Sequence, residues 1–460
     1  MPGAADGAAA PAATGLTATL AQRVAGFDGA SVPAEALTRA KHGILDTLGC
    51  ALAGLGEPVS KIMRAYAADL PPLAQATVWG SARKVALTEA ALVNGTLAHA
   101  LDYDDMNRSM LGHPSAVLTA ALLPLAEAQG LSGRRLIEAY VIGLEAMARV
   151  GRVFGLKAYD YSWHPTAVLG TLGAAAGAGW LLGLDAAQTA HALGIAASEA
   201  SGIKKNFGSM TKSMHAGSAA RKGLWAAQMA RRGLAADAAA LDGKFGFFEM
   251  FGGTAAVAEA AEAATRPLDI LAEGLVFKQY PCCGGLHSLV DVMLDLRKNG
   301  LAAAEVADIE CRVHPQKVAY LDRPAPAESL SAKFSIQYCV AVALLEGSVG
   351  LADFDERIIF DAARRALMAK IRIAGREDFA GFEAEVVVRT GDGRTLSGRT
   401  KEARGSIRNP LSEAELLAKF VDCASVALPT AQARAAGAAL LALDTAPTLA
   451  PVVALLAPQD

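Results

Sequence analysis

His215-Ala-Gly-Ser-Ala-Ala-Arg-Lys-Gly-Leu-Trp-Ala-Ala-Gln-Met-Ala230 is the passage from which the fold can be read. Its small residues, among them Ala216, Gly217, Ala220, Gly223, Ala227 and Ala230, recur every three or four positions. That is the period of a helix face. Small side chains let two helix backbones approach closely, so the stretch predicts a tightly packed bundle rather than helices spaced by Leu ridges. Outward from it the same texture recurs at Ala36–Leu52, Thr88–Leu101, Ser115–Gln129, Ser132–Phe154 and Ala187–Gly202, and the passage itself extends to Arg232. Gly and Pro punctuate these runs.

The texture changes after Pro267. Asp308–Val313 alternates, with Ile309, Cys311 and Val313 on one face, which is a strand pattern. Ala384–Arg389 is Val-rich and is followed by Thr390-Gly-Asp-Gly-Arg394 and Thr395–Arg399, which predicts a hairpin. Lys370–Ile373 is a further short strand, and Ala332–Leu345 and Ile358–Lys370 read as helices. From Ser412 the Ala/Leu-rich texture returns. The expected fold is mainly α. Residues 1–16 form a disordered Ala/Pro tail, 17–271 a large all-helical domain, and 272–405 a smaller α+β lid domain. Residues 406–460 are C-terminal helices packing back on the helical domain. Clefts between domains favour small-molecule sites.

The chain has 460 residues, 43 Lys+Arg against 46 Asp+Glu, and a net charge of −3; 53% of it is hydrophobic. So much apolar material excludes a disordered chain. The slightly acidic balance without a basic block speaks against a nucleic-acid partner. Tyr161–Leu184 lacks charged residues over a length that could span a bilayer. Its five glycines and its Ser162, His164, Pro165, Thr166 and Thr171 make it a buried helix with an exposed polar entry instead, so no membrane association is expected. The first residues carry neither a positive n-region nor a Leu-rich core, so no secretory leader is expected. Six scattered cysteines without CxxC or zinc spacing predict reduced thiols, no metal and a cytoplasmic location.

Five segments place polar groups in apolar, glycine-bearing surroundings. His99-Ala-Leu-Asp102-Tyr-Asp104-Asp105 gathers three carboxylates within four residues, and Gly112-His113-Pro114-Ser115 follows. Such a cluster caps a helix, pairs with a cation or handles protons. His113 opens a helix, where the dipole favours a neutral imidazole. Ser162-Trp-His164-Pro165-Thr166 is a second His-Pro helix start, and two such starts suggest one shared site. Lys204-Lys205-Asn-Phe-Gly-Ser209-Met-Thr-Lys212-Ser-Met-His215 reads as a loop before a helix, where lysines and amides suit an anion. Phe277-Lys278-Gln-Tyr-Pro-Cys282-Cys283-Gly-Gly-Leu-His287 puts a lysine, two thiols and a histidine at the domain junction. His314-Pro315 through Tyr320-Leu-Asp322-Arg323 reads from its residues alone as a surface loop. Together these describe a site for a multi-anionic small molecule, with lysines holding carboxylates and histidines moving protons.

At these residues the sequence resembles the MmgE/PrpD family. The motifs are His-Ala-Leu-Asp102-Tyr-Asp-Asp, Gly-His113-Pro-Ser, Trp-His164-Pro, Asn-Phe-Gly-Ser-Met-Thr-Lys212-x-x-His215-x-Gly and Lys278-x-Tyr-Pro. The resemblance implies a helical domain with an α+β lid, a homodimer, and no metal or organic cofactor. It implies a cofactor-independent hydro-lyase acting on a small hydroxy di- or tricarboxylate, as 2-methylcitrate dehydratase does. The alternatives are an epimerase or isomerase of an iminodisuccinate-like dicarboxylate, a cis-aconitate-type decarboxylase, and a member without activity. It carries over to His113, His164, Lys212, Asp102 and Tyr320 as catalytic residues and to Lys278 as a substrate ligand; Lys205, Ser209, Cys283 and His287 join it as substrate-binding candidates. Two positions depart from the pattern. Met106-Asn107 stands where dehydratase and decarboxylase members have a Thr, and Cys283 stands where decarboxylase-like members have a His. Both point away from cis-aconitate decarboxylation.

Overall fold

The computed structural model describes residues 15–155, 161–252 and 268–458. Most of the expected tail, residues 1–16, lies outside the described residues. The chain is mainly α, with a smaller α+β region. Its first part runs through α1 (Leu16–Ala25), α2 (Ala34–Ala53), α3 (Pro58–Asp69), α4 (Leu87–Ala98), α5 (Pro114–Ala128), α6 (Gly133–Phe154), α7 (Pro165–Leu181), α8 (Ala186–Glu199) and α9 (Met210–Arg231).

Local chemistry sets the starts. Proline occupies the first turn of α3, α5 and α7, where its missing N–H costs nothing and its φ is already helical. The Ser132 side chain caps α6 by accepting from the Arg135 N–H, and Asp185 with Gln188 forms a reciprocal cap on α8. The small-residue stripe of α9 does what its spacing predicts. A Cβ built on Gly95 of α4 would lie 2.7 Å from the Gly217 Cα of α9, and one on Gly223 would lie 2.5 Å from the Thr171 carbonyl of α7. These helices therefore touch backbone to backbone.

Three sequence expectations need correction here. Helix α9 starts at Met210, five residues earlier than predicted, so Lys212 and His215 lie on a helix and not in a loop. Ser209, with extended backbone, is the point of entry. The entry to α7 is mostly buried: Trp163 and His164 are covered and only Ser162 is exposed. The helical part is also not purely helical. Ala76–Thr77 (β1) pairs antiparallel with Lys84–Val85 (β2), a ribbon turned at Gly80 with φ +74°. Among the described residues no helix is long and apolar enough to cross a membrane.

The α+β region contains α10 (His287–Lys298), α11 (Pro315–Leu321), α12 (Ile336–Glu346) and α13 (Ala362–Met368). Its strands are β3 (Val306–Val313), β4 (Ile371–Gly375), β5 (Ala384–Thr390) and β6 (Thr395–Thr400), in the order β4-β3-β5-β6. β3 runs parallel to β4 and antiparallel to β5, and the β5–β6 hairpin pairs Arg389 with Thr395. Ile309, Cys311 and Val313 are all fully buried, as the alternation predicts. The segment around Tyr320, expected as a loop, is α11.

Two large apolar cores result among the described residues, with a small cluster of Cys50, Ala53, Leu101, Tyr103 and Cys423 beside them. One draws on residues from Leu16 to Phe277 and again from Leu416 to Leu456. The other runs from Tyr280 to Val388. The C-terminal helix α14 (Glu413–Ala424) belongs to the first core: Phe420 packs at Gly49 of α2, and Lys419 Nζ lies 2.6 Å from Asp46 Oδ1 of the same helix.

Candidate active site

The site grows from the loop joining α4 to α5. Among the described residues, three non-glycine residues have left-handed backbone, and Asp102 (φ +54°) and Leu111 (φ +51°) are two of them, both in this loop. Such strain persists where surrounding structure over-determines it, often at functional sites. Asp102 Oδ1 accepts from Lys212 Nζ at 2.8 Å and Lys278 Nζ at 2.9 Å. Lys278 also donates to the Asp102 carbonyl at 2.5 Å. Both lysines are buried, at 6% and 1% exposure. Burial alone would push the Asp102 carboxyl up; the ammonium groups of Lys212 and Lys278 outweigh it and hold the group well below the usual carboxylate range. Burial likewise works against the Lys278 ammonium, and Asp102 and Asp104 more than compensate, so its pKa is raised.

His113 stands between two carboxylates. Its Nε2 lies 3.4 Å from Asp102 Oδ1 and its Nδ1 3.2 Å from Asp104 Oδ2. His99 Nδ1 lies 2.9 Å from Asp104 Oδ1. Asp104 is fully buried, yet His99 and His113 keep it well below its ordinary value. His99 itself is pushed down to about 4, by burial first and by the charge of Lys212 among others, so it is neutral at pH 7. Asp104 is thus an anionic acceptor facing two imidazoles.

The second histidine pair is His164, at the start of α7, and His215, on α9. Their Nδ1 atoms are 3.0 Å apart, so one donates and the other accepts. Burial, then the Lys212 charge, holds His164 well below its usual value, and burial with His99 and Lys212 takes His215 down to about 4. The two His-Pro helix starts abut: the His113 N–H donates to Thr166 Oγ1 at 3.0 Å. A Cβ on Gly112 would meet the Thr166 nitrogen at 2.8 Å, so only glycine allows this approach.

Some of these groups line a cavity of about 460 Å³ between the helical part and the α+β region. Asp102, His113, His164, Lys212, Lys278, Lys205, Cys283 and Tyr320 all reach it. Two predicted substrate ligands do not line it. Ser209 is exposed and donates its hydroxyl to the Asn206 carbonyl, because it starts α9 from the outside. His287 is buried at the start of α10, with Nε2 3.3 Å from the Cys282 carbonyl, and it faces an adjoining crevice behind Lys278.

Sequence reasoning left His99, Asp104 and His215 out of the proton-handling set. His215 falls three residues after Lys212, the spacing of neighbours on one helix face, which was the available signal. Phe207, Phe334 and Arg323 also line the cavity. No single-chain pattern marks them. Cys283 lies there as a thiol whose pKa burial and Asp102 push up.

His99, Asp102, Asp104 and His113 offer four possible metal-ligand atoms within 4.8 Å of one another. Two lysine ammonium groups already contact the Asp102 oxygen, so the positive charge that a cation would bring is supplied by the chain.

Comparison with known proteins places the chain in a family. Residues 18–260 match the MmgE/PrpD N-terminal domain and residues 280–445 the MmgE/PrpD C-terminal domain. The chain belongs to the MmgE/PrpD family. Within MmgE/PrpD, human cis-aconitate decarboxylase is 31% identical over 88% of this chain and 87% of its own length. The Aspergillus terreus cis-aconitate decarboxylase is 26% identical over 97% and 96%. The 2-methylcitrate dehydratase of Cupriavidus necator is 26% identical over 72% of each chain. These MmgE/PrpD relatives are enzymes, decarboxylases and dehydratases. The family's C-terminal match runs past residue 405 into α14 and beyond, so it covers helices whose apolar faces belong to the first core.

Proposed function

We propose that this MmgE/PrpD protein is a cofactor-independent lyase that makes or breaks a bond beside a carboxylate of a small hydroxy di- or tricarboxylate, with dehydration as the first reading. The observation that carries it is the pairing of two separate proton carriers around one cationic centre. His113 is backed by Asp104, and His164 is backed by His215.

An ammonium has three N–H donors. Lys212 gives one to Asp102 and Lys278 gives two, which leaves two and one for a substrate carboxylate. The chemical difficulty is that a carbon beside a carboxylate must lose its proton, which adds charge to an already anionic group. Preorganised ammonium groups in a water-poor site stabilise that charge as it develops. His164, neutral at pH 7, takes the α-proton. With its Nδ1–H donated to His215, its Nε2 carries the lone pair this needs. The C–H electron pair forms the new C=C bond, the C–O bond breaks, and His113 delivers the proton with which hydroxide leaves as water. Asp102 fixes both lysines, and the Tyr320 hydroxyl donates from the lid side. Dehydration needs an acid and a base together, and this reading gives those roles to His113 and His164.

Decarboxylation is the second reading. It is favoured by the relatives that cover most of the chain, which are cis-aconitate decarboxylases. It needs one proton donor only: the C–CO2 bond breaks and an imidazole protonates the resulting carbanion. Mass spectrometry of a panel of di- and tricarboxylates incubated with the protein decides between them. Loss of water supports the first reading and loss of CO2 the second. α-Proton exchange with deuterated solvent without net mass loss identifies an epimerase, and no change in any acid removes the enzymatic reading.

A further inference from the structure

The cavity is lined by both cationic and apolar residues, and its apolar part has an unusual construction. Met106 follows the aspartate loop directly. Its backbone is pinned to the segment that leads into the α+β region: its N–H donates to the Val276 carbonyl at 2.9 Å, and the Val276 N–H donates back at 2.7 Å. Its thioether lies against Gly284. A Cβ at position 284 would sit 2.7 Å from Met106 Sδ and 3.9 Å from Lys278 Cε, so glycine leaves the room that the methionine fills. Met106 and Leu111 border the catalytic cavity and also the small crevice behind Lys278, as Gly284 and Lys278 do, so they are the apolar part of the wall between the two. This wall stands beside Lys278 and two residues before His113.

A carboxylate pressed against a thioether and an isobutyl group would lose its water and gain no donor, which is costly. An alkyl group in the same place would bury apolar surface at a gain. Lys278 meets this wall through its stem while its ammonium is held at Asp102, and Lys212, Lys205 and Arg323 supply the other cations of the lining. We propose that Met106, with Leu111, is the specificity wall of this site. It selects a dicarboxylate that carries an alkyl branch, against a tricarboxylate with a carboxylate in that position. This rests on the carboxylate-lyase reading above and narrows its substrate class.

Binding of three unreactive probes tests it without depending on turnover. Isothermal titration would compare succinate, 2-methylsuccinate and propane-1,2,3-tricarboxylate on the full-length protein. The wild type should bind 2-methylsuccinate roughly fourfold more tightly than succinate, the worth of one buried methyl, and should bind the tricarboxylate more weakly than either. Met106→Ser should erase the methyl preference, and Met106→Leu should keep it. Lys212→Ala should weaken all three, which places them in the cavity. A wild type that favours the tricarboxylate, or a methyl preference that survives in Met106→Ser, overturns the wall while leaving the carboxylate reading intact. Failure of every probe to bind overturns both.

Discussion

Asp104 and Asp105 are neighbours in the chain, both fully buried, and they end in opposite states. Asp104 faces His99 and His113 and is held well below the carboxylate range. Asp105 faces the other way. Its carboxyl accepts from the Ser115 hydroxyl, which also pairs with the Tyr140 hydroxyl, and burial and the nearby Asp46 push it well above that range. Behind it Lys419 of α14 reaches Asp46, donates to the Tyr103 carbonyl at 2.9 Å and sits 3.8 Å over the Tyr103 ring. Since both aspartates lose their water equally, burial does not distinguish them; what each one faces does. The loop presents a charged, cavity-facing side with chemistry to perform and a core-facing side that ties it to the fold.

The largest effects should come from the cavity side. His113→Asn and Lys212→Met should each lower kcat/KM by about 10²–10⁴ on the acid found by mass spectrometry, through loss of proton transfer and of charge stabilisation. Asp104→Asn should fall in the same range, since it takes from two imidazoles their anionic partner. Urea unfolding midpoints of the three variants check that the loss is chemical. Wild-type turnover in both His113→Asn and Lys212→Met would sink the assignment.

On the core side the expected signature is reversed. Lys419→Met leaves Asp46 buried without its ammonium partner and should cost about 3–5 kcal/mol in urea unfolding. Activity per folded molecule should hold within a few-fold, because Lys419 does not line the cavity. If kcat collapses while stability is unchanged, the two sides of the loop are not separable.

Acid should act through the cavity side. His99 and His215 have pKa values lowered to about 4, and His164 is held well below its usual value. Unfolded, such histidines titrate near 6.5. Between those values the unfolded chain binds more protons, so stability is lost as pH falls from about 6.5 toward 4. Urea midpoints at pH 7, 6 and 5 should therefore descend, and His215→Gln should flatten the descent. An unchanged midpoint across that range would contradict neutral buried histidines.

Much of this contrast was legible in the sequence, and its limits have physical causes. The small-residue stripe of α9, the alternation of β3 and the Gly-Asp-Gly turn report local geometry, and local geometry is what spacing encodes. His113 and His164 were visible as two His-Pro starts, though 51 residues of chain separate them; that they abut depends on Gly112 admitting Thr166. The start of α9 was missed because Thr211, Lys212 and Ser213 look like loop residues, and it is tertiary pairing of Lys212 with Asp102 that rewards the extra turn. Ser209 and His287 are of types that suit an anionic ligand, and only the direction of each side chain removes them from the cavity. Asp104 and Asp105 show the same limit most sharply: one letter, adjacent positions, and no pattern in the chain that says which faces a histidine.

The smallest effect should be the most informative. Burial and the nearby Asp46 raise the Asp105 carboxyl well above its usual range, which favours its neutral form, and asparagine matches a neutral carboxyl in shape. In Asp105→Asn the amide oxygen can take over acceptance from the Ser115 hydroxyl. The amide NH2 then falls where the Ser115 N–H approaches, at 3.4 Å in the wild type, so one weak contact becomes donor against donor. The net change in unfolding free energy should stay within about 1 kcal/mol, the scale of one exchanged hydrogen bond, and kcat/KM should hold within a few-fold. Asp104→Asn differs by one position and the same two atoms, yet should lose activity by orders of magnitude. If instead Asp105→Asn destabilises as much as Lys419→Met, then Asp105 is ionised in the folded chain and the Lys419 ammonium serves two carboxylates; the loop would then have two charged sides, not one.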